Sequence, residues 1–340
     1  MNDKNTVTIN DIARELGISN STVSRALRNN PRISDEVTKR VKQTAAKMGY
    51  IPNSAAQSLR TGKSNTIGLL VRDINDGWSS SVIPFVENSC SKNGYGLILC
   101  NASNNADRER YYIRVLQQRR VDGILILTPM ISSCEPYLPF SKNIPIVLMD
   151  IFQKNVVISG ITVDHYDGAK LSVNHLLELN HRRIALLVGP MNLSPITQIA
   201  SGYKKAMVNA GIDIVDQVVI STAHTGITDG FQGMLEVLKA NPKPTSLITS
   251  SDLMAIGALD ACKKFGISVP EDFSVVGYDD IPLSALMSPP LTTVFQDKEK
   301  LSKEAVHLLL ERISNGEKDP IQIKIKPRLV IRNSTMKHDV

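Results

Sequence analysis

A chain of 340 residues exceeds one average domain and can bury at least one sizeable core, so two or three compact units are expected. Its 42% hydrophobic and 21% charged residues suit a globular protein; no segment reaches the 18 apolar residues of a membrane span, and the polar start MNDKNTVTINDIAREL lacks the apolar core of a secretion signal, so a cytoplasmic protein is expected. Charge is more informative: residues 1–63 hold eleven Lys and Arg against five Asp and Glu, whereas the other 277 residues carry 28 of each. A basic head on a neutral body suits a nucleic acid, or equally an anionic membrane surface. Four widely spaced cysteines form no C-x-x-C pair and the histidines are scattered, so neither a disulfide framework, nor a metal site, nor a cofactor is expected.

The first helix is predicted from Asn10, as N-cap, through Ile12, Ala13 and Leu16 to a stop at Gly17. Ser19 caps a second helix with Val23, Ala26 and Leu27 on its apolar face, ended by Asn29-Asn30-Pro31. Ser34 caps a third, with Asp35 and Glu36 in its first turn and Val37, Val41, Ala45 and Met48 pointing inward. Two short helices joined by a tight turn form a helix-turn-helix whose second helix reads DNA. That second helix, within ISNSTVSRALRNN, is unusually polar. A water-facing helix would account for this, because Ser, Thr and Asn are poor interior helix formers. So would a helix pressed against a major groove. Asn20 and Ser21 then meet base edges, Arg25 presents a planar fork to guanine O6 and N7, and Ser19, Thr22 and Ser24 hold phosphates, with Arg28 and Arg32 adding charge.

Between Pro52 and Lys63, Asn53 can cap a helix of about two turns, too short to be stable alone in water. Beyond it, apolar runs recur about every 25–30 residues: TIGLLV at 66–71, GLILC at 96–100, GILIL at 123–127 and PIVLM at 145–149. A second set follows, RIALLVG at 183–189, TSLITS at 245–250 and FSVVGYD at 273–279. Strands alternating with helical patterns predict two parallel-sheet lobes with a cleft between them. Ligands in such folds sit beyond the carboxyl ends of the strands, which nominates Asp73, Asn75, Trp78, Asp150, Ser251, Asp279 and Gln296, although Asp and Asn are also ordinary turn formers.

VTINDIARELGISNSTVSRAL followed by GYIPNSAAQSLRTGKSNTIGLLV resembles the head and hinge of the lac repressor family of bacterial transcription regulators. HRRIALLVGP, ISVPEDFSVVGYDDIPLS and PPLTTVFQD extend the similarity over nearly the whole chain. The resemblance implies an all-α helix-turn-helix head at 1–51, a hinge helix and linker at 52–64 and an effector-binding body at 65–340 similar to periplasmic sugar-binding proteins. Its first lobe would span about 65–162 and 292–326, its second about 163–291 and 327–340, so that LTTVFQ returns to the first lobe and RLVIRNS to the second. It also implies a repressor acting as a homodimer on near-palindromic operator DNA, with hinge helices that fold there, Leu59 wedged in the minor groove and Ala56 near the groove floor.

Departures from the family pattern bear on the effector. Where the family places a ligand-gripping arginine, this chain has Ile199, and the asparagine usual before Asp252 is Ser251. Loss of that fork disfavours phosphates and carboxylates, so the expected effector is a small, neutral, sugar-like molecule, with Asp279 accepting hydroxyl hydrogen bonds and Trp78 offering an apolar face. Control by a partner protein, or by no ligand, stays open. The six residues after RLVIRNS cannot supply a coiled coil, so a dimer without tetramerisation is expected. No P-loop, G-x-G-x-x-G turn or G-x-S-x-G elbow supports an enzyme.

Overall fold

The computed structural model describes residues 7–51, 62–129, 134–213, 217–316 and 319–339. Two compact units divide the chain, residues 1–64 and 65–340. The hinge residues Asn53, Ala56 and Leu59 lie outside the described residues.

Three helices build the first unit: α1 (Ile9–Leu16), α2 (Asn20–Ala26) and α3 (Asp35–Lys47). The α1 cap differs from the sequence expectation. Thr8 fills that role, its backbone N–H and hydroxyl donating to Asp11 at 2.9 and 2.6 Å. Asn10, inside the first turn, instead accepts a 2.6 Å hydrogen bond from Asn20 Nδ2 and so ties α1 to α2. Gly17 ends α1 at φ 65°, a left-handed conformation that glycine adopts without a Cβ clash. Ser19 Oγ accepts from the Thr22 N–H, and Ser34 caps α3 in the same way. Ile12, Ala13, Val23, Ala26, Val41 and Ala45 form the buried centre, with Leu27, Val37 and Met48 packed against it.

The second unit contains two sheets. Strands β1 (Thr66–Val71), β2 (Gly96–Asn101), β3 (Gly123–Leu127), β4 (Ile146–Met149), β5 (Gly160–Val163) and β11 (Gln322–Ile325) lie in the order β11-β5-β4-β3-β1-β2, all parallel. The other sheet has the order β12-β10-β9-β8-β6-β7, from β6 (Ile184–Val188), β7 (Val218–Ser221), β8 (Ser246–Thr249), β9 (Ser274–Asp279), β10 (Thr292–Phe295) and β12 (Arg328–Val330). Only the β10–β12 pairing among them is antiparallel. Both sheets carry helices packed on fully buried strands, as a parallel sheet requires.

One lobe boundary is corrected. LTTVFQ does not return to the first lobe: β10 pairs in parallel with β9, Thr292 opposite Val276 and Phe295 opposite Asp279, and Val294 enters the second lobe's core. The chain crosses after β10, because the helix Lys298–Asn315 buries Leu301, Ala305, Val306 and Leu309 in the first lobe's core instead. The remaining crossings follow Val163 and separate β11 from β12.

Candidate functional site

In the first unit, the polar face of α2 is open to solvent. Ser19, Asn20, Ser21, Arg25 and Arg28 are exposed, while Thr22 and Ser24 are half-buried. They are not equally available. Ser19 Oγ, already a cap, also meets the hydroxyls of Ser21 at 2.8 Å and Thr22 at 2.9 Å, and Asn20 is engaged by Asn10. Arg28 folds back on its own helix, donating to the Ser24 carbonyl at 2.8 Å and to its hydroxyl at 2.9 Å. Arg25 makes no hydrogen bond or ion pair within the described residues, so its full fork faces outward.

In the body, a cavity of about 40 Å³ lies at the carboxyl ends of both sheets. Trp78, Asp150, Ile199, Ser251, Asp279 and Gln296 line it; Asp73 and Asn75 do not. Asp73 accepts instead from Asn104 Nδ2 at 2.6 Å and from the Asn75 backbone N–H at 3.0 Å. The first strand contributes Arg72, immediately after β1, whose guanidinium donates to Asn104 at 2.8 Å and to Asp76 at 3.1 Å. Asp76 also caps the helix Gly77–Lys92, accepting from the hydroxyl and N–H of Ser79.

A hydrogen-bonded chain crosses the floor between the lobes. Asp150, after β4, accepts from His165 Nε2 at 2.6 Å, and His165 Nδ1 lies 3.1 Å from the Tyr278 hydroxyl on β9. Gly168 leaves room for that hydroxyl, which a Cβ there would strike. Next along β9, Asp279 has φ 110° and accepts from Gln296 Nε2 at 2.6 Å, while its backbone oxygen accepts from Lys298 Nζ at 2.6 Å. Burial and the neighbouring Asp252 carboxylate push Asp279 well above the usual carboxylate range, against the pull of Lys298. Asp252 itself, held by Ile281 N–H, Ser284 and Thr293, is pushed up to about 6 by burial.

The cavity therefore offers three carboxylates against one guanidinium, which Asp76 already neutralises. The hydroxyls of Ser250 and Ser251 are committed, Ser251 to the Thr225 carbonyl at 2.9 Å and Ser250 to the Gly189 N–H and Met254 Sδ. Arg72 Nε, Trp78 Nε1 and Gln296 Oε1 are buried without a partner.

Two family models match the chain, bacterial regulatory proteins of the lacI family over residues 8–53 and a periplasmic binding protein-like domain over residues 173–335. The HTH-type transcriptional repressor PurR of Photorhabdus laumondii is 36% identical over 336 residues, covering 97% of each chain. The chain belongs to the lac repressor family. The PurR repressor of Proteus mirabilis is 34% identical, with 96% of each chain covered. A lac repressor dimer solved with its operator and the anti-inducer ONPF superposes with a TM-score of 0.88 at 27% identity, over 97% of this chain and 99% of that one. This lac repressor relative is accordingly a transcriptional repressor with a helix-turn-helix head and a two-lobed ligand-binding body, not an enzyme.

Sequence reasoning missed Arg72, Asp76, Thr128, His165 and Tyr278 in the cavity. Arg72 and Thr128 each directly follow a strand, so the strand-end rule held the signal and was applied one residue late. His165 and Tyr278 carry no such mark: their position depends on how the two sheets face one another.

Proposed function

We propose that this repressor binds a near-palindromic operator as a homodimer, with α2 in the major groove, and that a small neutral ligand in the cleft modulates that binding. The outward, unpartnered guanidinium of Arg25 carries this reading, because a bidentate Arg–guanine contact supplies about 1–3 kcal/mol of discrimination per site. Ser19, Thr22, Ser24 and Arg28 position the helix on phosphates; Asn20 and Ser21 approach base edges. Asn53, Ala56 and Leu59 enter the same reading as hinge contacts in the minor groove, a wedge that bends the duplex at a cost of a few kcal/mol offset by added contacts.

Association of two copies is supported by apolar surface in each lobe. Strand β2 is a sheet edge with Ile98 and Leu99 exposed, and the second lobe exposes Ile227, Leu283 and Leu286, the last at 78%. Uncovered apolar edges and patches of this kind invite pairing. The cavity, at about 40 Å³, has room for a few waters and not for a sugar ring, so ligand entry separates the lobes around Asp150–His165–Tyr278. A change in lobe angle alters how two subunits meet, with a coupling of about 1–3 kcal/mol typical of allostery. Selection of binding sites from random duplexes by the full chain tests the reading: a symmetric, near-palindromic consensus is expected, and recovery of no consensus overturns it.

A further inference from the structure

The cleft walls differ in kind. Polar atoms with spare capacity are concentrated on the first lobe and the floor: Trp78 Nε1 and Gln296 Oε1 are buried without partners, and Asp150 and Asp279 retain acceptor sites beyond their bonds to His165 and Gln296. The opposite wall, from the start of the second-lobe helix Ser194–Asn209, is apolar. Leu193, Pro195, Ile196 and Ile199 face the cavity there, and Ile196 and Ile199 are buried in the second lobe's core. Ser250 and Ser251 add little polarity, because their hydroxyls are already hydrogen-bonded within the protein. A ligand polar over its whole circumference would leave its groups on the Ile196–Ile199 side dehydrated and unpaired, a penalty that selects against it.

We propose that the cleft takes an amphipathic effector, a hydroxylated ring with an uncharged apolar substituent, the ring on Asp150, Asp279 and Gln296 and the substituent on Ile196 and Ile199. The inference rests on the neutral-effector reading above and narrows it. Ring hydroxyls donate to the two carboxylates, and an acceptor on the ring meets Trp78 Nε1. The apolar substituent completes the wall that a polar side chain at position 199 would otherwise occupy.

Calorimetry on the full chain tests this, with quenching of Trp78, the single tryptophan, as a second readout. The probes are neutral hexoses and pentoses, their methyl and phenyl glycosides, and the corresponding sugar phosphates. At least one phenyl glycoside is expected to bind roughly tenfold or more tightly than its parent sugar, from added apolar burial. Ile199→Gln, checked by its melting transition, should erase that difference while leaving the parent sugar bound. Parent sugars that bind as tightly as their phenyl glycosides overturn the amphipathic assignment and leave the neutral-effector reading standing. Binding confined to the phosphates, or absent across the whole panel, overturns both.

Discussion

Head and body place their polar residues in opposite ways. On α2 they face water, tied to one another by short local bonds, and one of them, Arg25, is tied to nothing within the described residues. In the cleft they are buried and fixed across long sequence separations, as in Asp150–His165–Tyr278 and Asp279–Gln296. The contrast teaches where each function resides. An exposed fork gains its full hydrogen bonds only on meeting a base, so its removal should alter recognition and spare the fold. A buried network is part of the fold itself, and changing it costs stability and lobe coupling together.

The largest expected effect is in the body. His165→Ala leaves the Asp150 carboxylate buried without its partner and should destabilise the protein by about 3 kcal/mol or more, read by chemical denaturation, while isolated-site DNA discrimination is retained. Loss of discrimination alongside stability would break the separation drawn here. Next is Asp252→Asn. The folded-state pKa of Asp252 is raised to about 6 from 3.8, so the folded protein holds a proton that the unfolded chain releases, and stability from this group falls as pH rises from about 4 to 6. That slope, worth on the order of 3 kcal/mol across the window, should flatten in the variant relative to the parent. His175 and His181, lowered by burial, act with the opposite sign as pH falls below 6.5, and cancel in the comparison. A smaller effect is expected from Gly168→Ala, whose Cβ strikes the Tyr278 hydroxyl: about 1–3 kcal/mol of stability, with weakened coupling of ligand to DNA in titrations. Smallest is Arg28→Ala, which should weaken all duplexes alike and lower the salt dependence by about one counterion, with no change in melting beyond a few tenths of a kcal/mol.

The same contrast explains what the sequence made legible. Head helices and caps follow from local chemistry: Ser19 and Ser34 cap as expected, and Val23, Ala26, Val41 and Ala45 face inward. Even there Asn10 misled, because Thr8 two residues earlier formed the box with Asp11. In the body, continuous apolar runs marked β1, β3, β6, β8 and β9, whereas β5 and β7 are only four residues long and β11, QIKI, alternates with polar residues, which hid them. LTTVFQ was assigned to the wrong lobe because a strand's own residues do not reveal which sheet it joins; only the amphipathic helix after it belongs to the first lobe. Likewise Ile199 and Ser251 pointed toward a less polar ligand, yet Arg72, one residue past β1, went unnoticed although it supplies the cavity with a guanidinium. Its pairing with Asp76, another contact fixed by the fold, keeps that charge neutralised.

The separation of a base-reading head from a buried, stability-bearing cleft is tested most directly by scanning every base pair of the selected operator against wild type and Arg25→Ala, at constant salt. Wild type should lose about 1–3 kcal/mol for substitutions at a guanine in each half-site, and Arg25→Ala should be indifferent at those positions while keeping its preferences elsewhere. A uniform loss at all positions, like that expected of Arg28→Ala, would contradict the account.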